Sequence, residues 1–210
     1  MRVDGLIFDL DGTLWDASGS CVMAWNKALR NKGVKDFVIT EQLAHLFAGK
    51  LLDDIFSQYF TFLPKEEYAN MASAYAAEEQ FHMREYGGKL YPDIKDELQS
   101  LVKKYPLFIV SNCLAGYIEN FLQQHDLGHL FTDYECSGVT GKPKADNIEM
   151  IIVRNQLKNP VYIGDTMGDF DAARKNQIPF IFSAYGFGKV DGAQYSINNI
   201  RELESFLELI

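Results

Sequence analysis

The stretch that decides the fold lies near the amino terminus and reads Leu6-Ile7-Phe8-Asp9-Leu10-Asp11-Gly12-Thr13-Leu14. An apolar run that ends in two acids and a glycine is typical of a buried strand that delivers side chains to the edge of a sheet. Alternate residues of an extended chain point to the same side, so Asp9 and Asp11 are expected to face one pocket. Asp-Gly is also a common turn dipeptide, and the motif alone fits two solvated turn acids equally well.

The residues that follow this strand are predicted to be helical for a long way. Thr40 can cap one helix, and Pro64 stands where the first residue of a longer helix belongs. Since no convincing strand interrupts this part of the sequence, we predict an all-α cap domain at residues 17–87, inserted after the first strand. An α/β core domain is expected at residues 1–16 and 88–210.

From residue 91 onward, strands and helices alternate. Four further strands are predicted around residues 107–110, 131–136, 161–163 and 180–182. Strands separated by helices form a parallel sheet that is covered on both faces, and ligands bind beyond the carboxyl ends of its strands. The fold class is therefore predicted to be α/β with a parallel sheet, and functional residues are expected at the strand ends.

Two polar segments follow the later strands. Ser111 and Asn112 end the second strand, where they could hold an oxyanion with backbone N–H groups or simply cap the next helix. The loop at residues 138–144 contains two lysines. Because Lys142 precedes a proline, it has a fixed, non-helical geometry, and we expect Lys142 to contact the ligand. An exposed lysine in a turn fits Lys144 better.

The strand at residues 161–163 again delivers acids to its tip. Asp165 and Asp169 are four residues apart where a helix begins, so both carboxylates can lie near one point. Asp171 is interpreted as a surface residue or as a favourable charge at the helix amino terminus.

Taken in order, these segments resemble the four motifs of the haloacid dehalogenase-like (HAD) superfamily, whose phosphatases carry Asp-x-Asp-Gly-Thr-Leu directly after their first strand. The resemblance covers nearly the whole chain, and its matched positions are Asp9 with Asp11, Ser111, Lys142, and Asp165 with Asp169. It implies a Rossmann-like core of five parallel strands in the order 5-4-1-2-3, with a small helical cap inserted after the first strand.

The resemblance also implies an enzyme, a phosphatase of small phosphate monoesters that are phosphoglycolate-like or sugar-phosphate-like. Asp9 would then be the nucleophile that forms an aspartyl-phosphate, and Asp11 the general acid and base. Ser111, Asn112 and Lys142 would bind the phosphate oxygens. A family member that dehalogenates lacks the second acid, so Asp11 favours phosphoryl transfer.

A metal ion is implied by the same set of acids. At an effective dielectric constant near 20, two unit charges about 4 Å apart repel by roughly 4 kcal/mol. A hard cation removes this repulsion, and Mg²⁺ prefers carboxylate and carbonyl oxygens. The resemblance assigns the ion to Asp9, the backbone carbonyl of Asp11, Asp165 and Asp169.

Substrate choice is expected to depend on the cap. Gly49 and Lys50 correspond roughly to the specificity loop of the family. Lys50 could reach a second anionic group on the substrate, or it could be a solvated lysine at a helix start. The proline typical of the phosphoglycolate phosphatase branch is absent from this loop, and so is the Ser-Arg pair of the β-phosphoglucomutase branch.

Two alternative functions stay open on the sequence. A phosphomutase similar to β-phosphoglucomutase would use the same aspartyl-phosphate and return the phosphoryl group to the bound substrate. A non-catalytic phosphate-binding protein could retain the fold, although the intact set of acids is unfavourable to that interpretation.

The composition restricts the classes of binding partner and the cellular compartment that we expect for this protein. A formal net charge of -9 disfavours binding to nucleic acid, and no apolar run is long enough to span a bilayer. We expect a small phosphorylated metabolite as the partner, whereas the oligomeric state has no signature in the sequence. Three widely spaced cysteines without a CxxC pair indicate reduced thiols and a cytoplasmic protein.

Overall fold

The computed structural model describes residues 2–207. Its strands are β1 (Gly5–Phe8), β2 (Trp15–Asp16), β3 (Lys89–Leu90), β4 (Leu107–Ser111), β5 (Phe131–Cys136), β6 (Pro160–Gly164), β7 (Phe180–Ser183) and β8 (Tyr195–Ile197). Its α-helices are α1 (Ser18–Asn31), α2 (Glu41–Phe47), α3 (Leu52–Tyr59), α4 (Tyr68–Glu85), α5 (Ile94–Leu101), α6 (Tyr117–His125), α7 (Ser137–Thr140), α8 (Lys144–Arg154), α9 (Met167–Lys175) and α10 (Leu203–Leu207).

Six of these strands form one parallel sheet in the order β5-β4-β1-β6-β7-β8. The α/β fold class is therefore confirmed. Counted in chain order within this sheet, the five predicted strands have the expected order 5-4-1-2-3, and β8 adds a sixth strand beyond the fifth. The sequence analysis missed β8 because its three residues include only one that is fully buried, so it has no continuous apolar run.

The central strand β1 is buried on both faces, and its side chains alternate between two hydrophobic clusters. Leu6 and Phe8 pack in a cluster that includes residues of α5, α6 and α10. Ile7 packs on the other face, in a cluster that includes residues of α8 and α9. Because helices cover both faces, β1 reads as an uninterrupted apolar run rather than as alternating polar and apolar residues.

The four helices α1–α4 lie between β2 and β3 in the chain and form a hydrophobic cluster of their own. Trp25 of α1 is central to it, with its ring stacked on Tyr75 at a centroid distance of 3.6 Å and edge-on to Phe47 at 5.8 Å. The short strands β2 and β3 pair antiparallel where the chain enters and leaves this helical segment.

Helices long enough and apolar enough to cross a membrane do not occur between residues 2 and 207.

Replacement of Trp25 tests whether this aromatic cluster stabilises the helical segment. Because the side chain is only 2% exposed, we expect Trp25→Ala to lower the free energy of unfolding by about 3–5 kcal/mol, through lost burial and the cavity left behind. Chemical denaturation followed by circular dichroism measures the change. Met23→Ala on the same helix, where the residue is 40% exposed and lies outside the aromatic cluster, should change the free energy of unfolding far less, by about 0.5 kcal/mol. Equal effects of both substitutions would contradict the packing analysis.

Candidate active site

The carboxyl ends of three adjacent strands bring the candidate site together. Phe8 at the end of β1 pairs with Ile109 of β4 and Ile163 of β6 in the parallel register. The backbone N–H of Asp9 still donates to the carbonyl of Ile163, at 2.8 Å, so Asp9 is held at the sheet edge. Asp165 follows β6 at the same edge. The first and fourth sequence motifs therefore meet there.

A buried lysine links two of the acids at this edge. The Lys144 ammonium donates to Asp9 Oδ1 at 2.7 Å and to Asp169 Oδ1 at 2.5 Å. All three side chains are almost completely buried. Charge-assisted hydrogen bonds of this kind are roughly twice as strong as neutral ones, so the triad fixes the loop after β1 relative to the starts of α8 and α9.

Asp165 has one oxygen engaged and one free. Its Oδ2 accepts hydrogen bonds from the backbone N–H groups of Phe187, at 2.8 Å, and Gly188, at 3.3 Å. Its Oδ1 is buried and has no hydrogen-bond partner among the described residues. A buried acceptor without a partner is costly, which indicates a position for a ligand atom.

Gly12 permits this arrangement because it approaches Asp165 closely. Its φ of +83° lies in the left-handed region, and a Cβ atom there would lie 2.2 Å from Asp165 Oδ2. Only glycine therefore fits at this position of the turn, where the first motif lies against the fourth.

The three acids could hold a metal ion. One carboxylate oxygen of each of Asp9, Asp165 and Asp169 lies within 4.8 Å of the others, and all three residues are buried. Three ionised carboxylates against the single ammonium of Lys144 would leave an excess of two negative charges. A divalent cation with oxygen ligands matches both this charge and this donor set.

Asp169 differs from the other two acids because both of its oxygens are already engaged. Its Oδ2 accepts from the backbone N–H of Thr166, at 3.0 Å, and from the Thr166 hydroxyl, at 2.7 Å. Its Oδ1 accepts from Lys144. The bond from the Thr166 N–H and the reciprocal bond from the Asp169 backbone N–H to the Thr166 hydroxyl oxygen, at 3.2 Å, form a capping box at the start of α9. Asp169 is therefore better placed to fix the loop and Lys144 than to bind an ion directly.

Burial and the close approach of charged groups shift the pKa values of the residues at this site. Burial, with a further contribution from Asp169, raises the pKa of Asp9 to about 7. Burial likewise raises the pKa of Asp165 above its ordinary range, as do Asp169 and Asp9. Burial alone would lower the pKa of Lys144, but Asp169 and Asp9 raise it above its usual value. The lysine therefore stays charged, and the acids need positive charge nearby to ionise.

Asp11 lies beside this cluster and is held by a tyrosine. The Tyr117 hydroxyl at the start of α6 donates to Asp11 Oδ1 at 2.7 Å. Burial raises the pKa of Asp11 to about 6, although the Tyr117 hydrogen bond acts in the opposite direction. The sequence analysis did not identify Tyr117 as a site residue. The one signal for it in the sequence is its position at the start of the helix that follows the second predicted strand.

The second strand end contributes two polar side chains with different surroundings. Ser111 is the buried last residue of β4 and lines a pocket together with Asp9 and Asp11. The Asn112 side chain donates to the carbonyl of Gly49 at 2.8 Å and accepts from the Ser137 hydroxyl at 2.6 Å. Asn112 therefore ties the loop after α2 to the sheet edge.

Lys142 does not lie where the sequence analysis expected it. Its side chain is exposed and lines a surface groove beside α8, while Lys144 occupies the position next to Asp9. The reason is that α8 begins at Lys144, and helical side chains tilt toward the amino terminus, here toward the strand ends. The sequence contained this signal, since Lys144 has helical spacing with Ile148 and Ile151, which are buried.

Gly49 and Lys50 line the same pocket as Asp9 and Asp11. This pocket lies between the sheet edge and helices α1–α4 and encloses about 750 Å³ of empty space, counted out to its open mouth. His45 of α2 stacks on Phe187 at a centroid distance of 4.3 Å, and this contact joins the helical segment to the loop beside Asp165.

Comparison with known proteins gives one family for most of the chain. The model of the family described as "Haloacid dehalogenase-like hydrolase" matches residues 6–183. Phosphoglycolate phosphatase of Aliivibrio fischeri is 28% identical over 194 residues, which cover 87% of this chain and 84% of that protein. Phosphoglycolate phosphatase of Photobacterium profundum is 29% identical over 194 residues, covering 87% and 83% of the respective chains.

Solved structures share the fold over the full length. A protein from Clostridium acetobutylicum described as a "predicted phosphatase" superposes with a TM-score of 0.85. It is 24% identical, and the superposition covers 100% of both chains.

Substitution of the two lysines tests the buried triad. Lys144→Met would leave the carboxylates of Asp9 and Asp169 buried without their cation, so we expect the free energy of unfolding to fall by about 3–5 kcal/mol. Denaturation in the presence of a chelator measures this, because added cations could neutralise the acids. Lys142→Met removes an exposed lysine of the same loop and should change stability by less than about 0.5 kcal/mol. A larger loss for Lys142→Met would refute the assignment.

Proposed function

The chain belongs to the haloacid dehalogenase-like hydrolase family, and on that premise we propose that it hydrolyses small phosphate monoesters through an aspartyl-phosphate on Asp9, with Mg²⁺ as cofactor. The match of the family model to residues 6–183 confirms the family membership that the sequence motifs implied. The chain is therefore an enzyme of the hydrolase class. The observation that carries the finer proposal is the meeting of Asp9, Lys144 and Asp165 at one sheet edge. The two relatives named phosphoglycolate phosphatase support phosphate esters as substrates.

The donor set fits the proposed ion. Asp9, the free Oδ1 of Asp165 and the backbone carbonyl of Asp11 would hold Mg²⁺, with Asp169 acting through a water molecule. When bound, the ion supplies positive charge that lets an anionic carboxylate approach an anionic ester.

The chain's own residues perform the chemical steps in this proposal. The Asp9 carboxylate attacks phosphorus, the ester P–O bond breaks, and Asp11 gives its proton to the departing alcohol oxygen. Asp11 then takes a proton from a water molecule that attacks the aspartyl-phosphate, which releases inorganic phosphate and regenerates Asp9. Through both steps, Lys144 and the Ser111 hydroxyl stabilise the phosphoryl oxygens.

Lys144 takes the phosphate-binding role that the sequence analysis gave to Lys142. Its ammonium contacts the attacking carboxylate directly, so it can bridge Asp9 and a phosphate oxygen. Asn112 remains a candidate phosphate ligand. Its hydrogen bond to the carbonyl of Gly49 would also depend on the position of the helical segment.

We assign the helical segment, residues 17–87, as a cap domain on a core formed by residues 1–16 and 88–210. Its separate hydrophobic cluster and the pocket beneath it support that division. The cap would exclude bulk water from the phosphoenzyme and select the leaving alcohol. The reduced cysteines support a cytoplasmic site of action on a small phosphorylated metabolite.

Phosphate release from a panel of phosphorylated metabolites tests the proposal. We expect hydrolysis with Mg²⁺ and none after chelation, and Asp9→Asn should reduce kcat by at least about a thousandfold because no nucleophile remains. Asp171→Asn removes an exposed acid of α9 and should leave kcat unchanged. Isomerised product without free phosphate would indicate a mutase. Full activity of Asp9→Asn, or no turnover of any ester including p-nitrophenyl phosphate, would overturn the proposal.

Tyr117→Phe tests whether the tyrosine positions Asp11 as general acid. Loss of the hydroxyl should lower kcat/KM for alkyl phosphates about tenfold, because a misplaced acid protonates the poor leaving group less well. For p-nitrophenyl phosphate, whose leaving group needs no proton, kcat/KM should stay nearly unchanged.

Tyr185→Phe is the matched control for this substitution, since the Tyr185 hydroxyl donates to the backbone carbonyl of Thr13 at 2.9 Å. It should affect both esters equally. If Tyr117→Phe also lowered kcat/KM equally for both esters, Tyr117 would have only a structural role.

A further inference from the structure

The pocket contains a buried acid that the proposed mechanism does not use. Glu79 of α4 is only 7% exposed, and it lines the pocket together with Asp9 and Asp11. Charged side chains are rarely buried to this extent without a partner of opposite charge. Glu79 forms no ion pair with any residue between positions 2 and 207.

The position of Glu79 is fixed by its neighbours. The Tyr75 hydroxyl donates to Glu79 Oε1 at 2.6 Å, and the Tyr75 ring is held by its stacking on Trp25. Cys21 of α1 and Tyr117 of α6 face the same space, and the Tyr117 hydroxyl lies 3.9 Å from Cys21 Sγ. Tyr117 also donates a hydrogen bond to Asp11. The space beside Glu79 therefore reaches the proposed general acid, Asp11.

The burial of Glu79 favours the protonated form of its carboxyl group. Burial raises the pKa of its carboxyl to about 8, even though the Tyr75 hydrogen bond acts in the opposite direction. A protonated carboxyl group both donates and accepts hydrogen bonds. With Oε1 held by Tyr75, the remaining capacity is available to a group in the pocket.

We propose that Glu79 recognises a hydroxyl group on the leaving alcohol, so that the enzyme prefers esters of polyols or sugars to phosphate esters that end in a carboxylate or an alkyl group. This inference rests on the proposed phosphatase function and specifies its substrate class. A hydroxyl group donates and accepts like the protonated carboxyl that it meets, so each can satisfy the other.

The alternatives fit the pocket less well. An alkyl end would displace water and leave the remaining hydrogen-bonding capacity of Glu79 unpaired, which costs affinity. A carboxylate end would add an anion to a pocket that already contains the carboxyl groups of Asp9 and Asp11. Lys50, the lysine that lines the pocket, is half-buried on the loop before α3, whereas Glu79 is buried. Lys50 and Glu79 form no ion pair in the described structure, so Lys50 does not stabilise an ionised form of Glu79.

The experiment compares linear alkyl phosphates, from propyl to hexyl, that end in a hydroxyl, a methyl or a carboxylate group. The unmodified enzyme should show the highest kcat/KM for the hydroxyl-ended ester whose length reaches Glu79. Glu79→Met, which has similar length and no hydrogen-bonding capacity, should lower kcat/KM for that ester about tenfold and leave the methyl-ended ester unchanged or better.

Two further variants separate recognition from structure. Glu79→Gln is neutral like the protonated carboxyl and retains a donor and an acceptor, so it should preserve the preference for the hydroxyl-ended ester over the other two. Glu78→Gln makes the same change one residue away, at a side chain that accepts from Asn31 on the outer side of α4. It should match the unmodified enzyme on all esters.

The outcomes distinguish the inference from the function on which it rests. Equal kcat/KM for hydroxyl-ended and methyl-ended esters in the unmodified enzyme would overturn the inference, whether or not Glu79→Met folds. So would a uniform loss on all three esters in Glu79→Met. Hydrolysis without hydroxyl preference would leave the phosphatase function intact, whereas absence of hydrolysis of every ester, including p-nitrophenyl phosphate, would overturn both.

Discussion

The contact on which the site depends is the buried ion pair of Lys144 with Asp9 and Asp169. It joins the loops after β1 and β6 to the start of α8, although these segments are far apart in the chain. Burial of the acids makes the contact necessary, because two carboxylates without a cation would repel in an environment of low polarity. The same electrostatic requirement explains why Asp165, which has a free buried oxygen, points to a place for a second positive charge.

The helical segment is connected to the sheet edge by hydrogen bonds and a ring contact as well as by apolar packing, since Met83 of α4 belongs to the same hydrophobic cluster as Leu6 and Phe8. Asn112 binds the carbonyl of Gly49, His45 stacks on Phe187, and Tyr117 contacts both Asp11 and Cys21. Each contact joins a residue next to the reacting groups to one in α1, α2 or the loop after α2. Each hydrogen bond or ring contact of this kind contributes little free energy on its own.

Much of the fold and part of the site could be predicted from local pattern. Strands buried on both faces read as apolar runs, and Asp9 and Asp165 stand directly after such runs, so their placement followed from strand ends in a parallel sheet. Strand β8 could not be found in this way because short edge strands have little apolar content. The choice between Lys142 and Lys144 was wrong because it depended on where α8 begins, and helix boundaries are the least certain feature of a sequence.

The sequence by itself determined the α/β class, the helical insertion, the acids at the strand ends and the family, because these depend on periodicity and on short motifs within single elements. Only the tertiary structure decided that Lys144 neutralises Asp9, that Tyr117 holds Asp11, and that Glu79 enters the pocket as a buried acid. The first two are contacts between side chains separated by many residues along the chain, and the third depends on how α4 packs beside the sheet edge. Their existence depends on helix start points and packing angles, and their electrostatic consequences depend on burial, none of which is encoded in local sequence pattern.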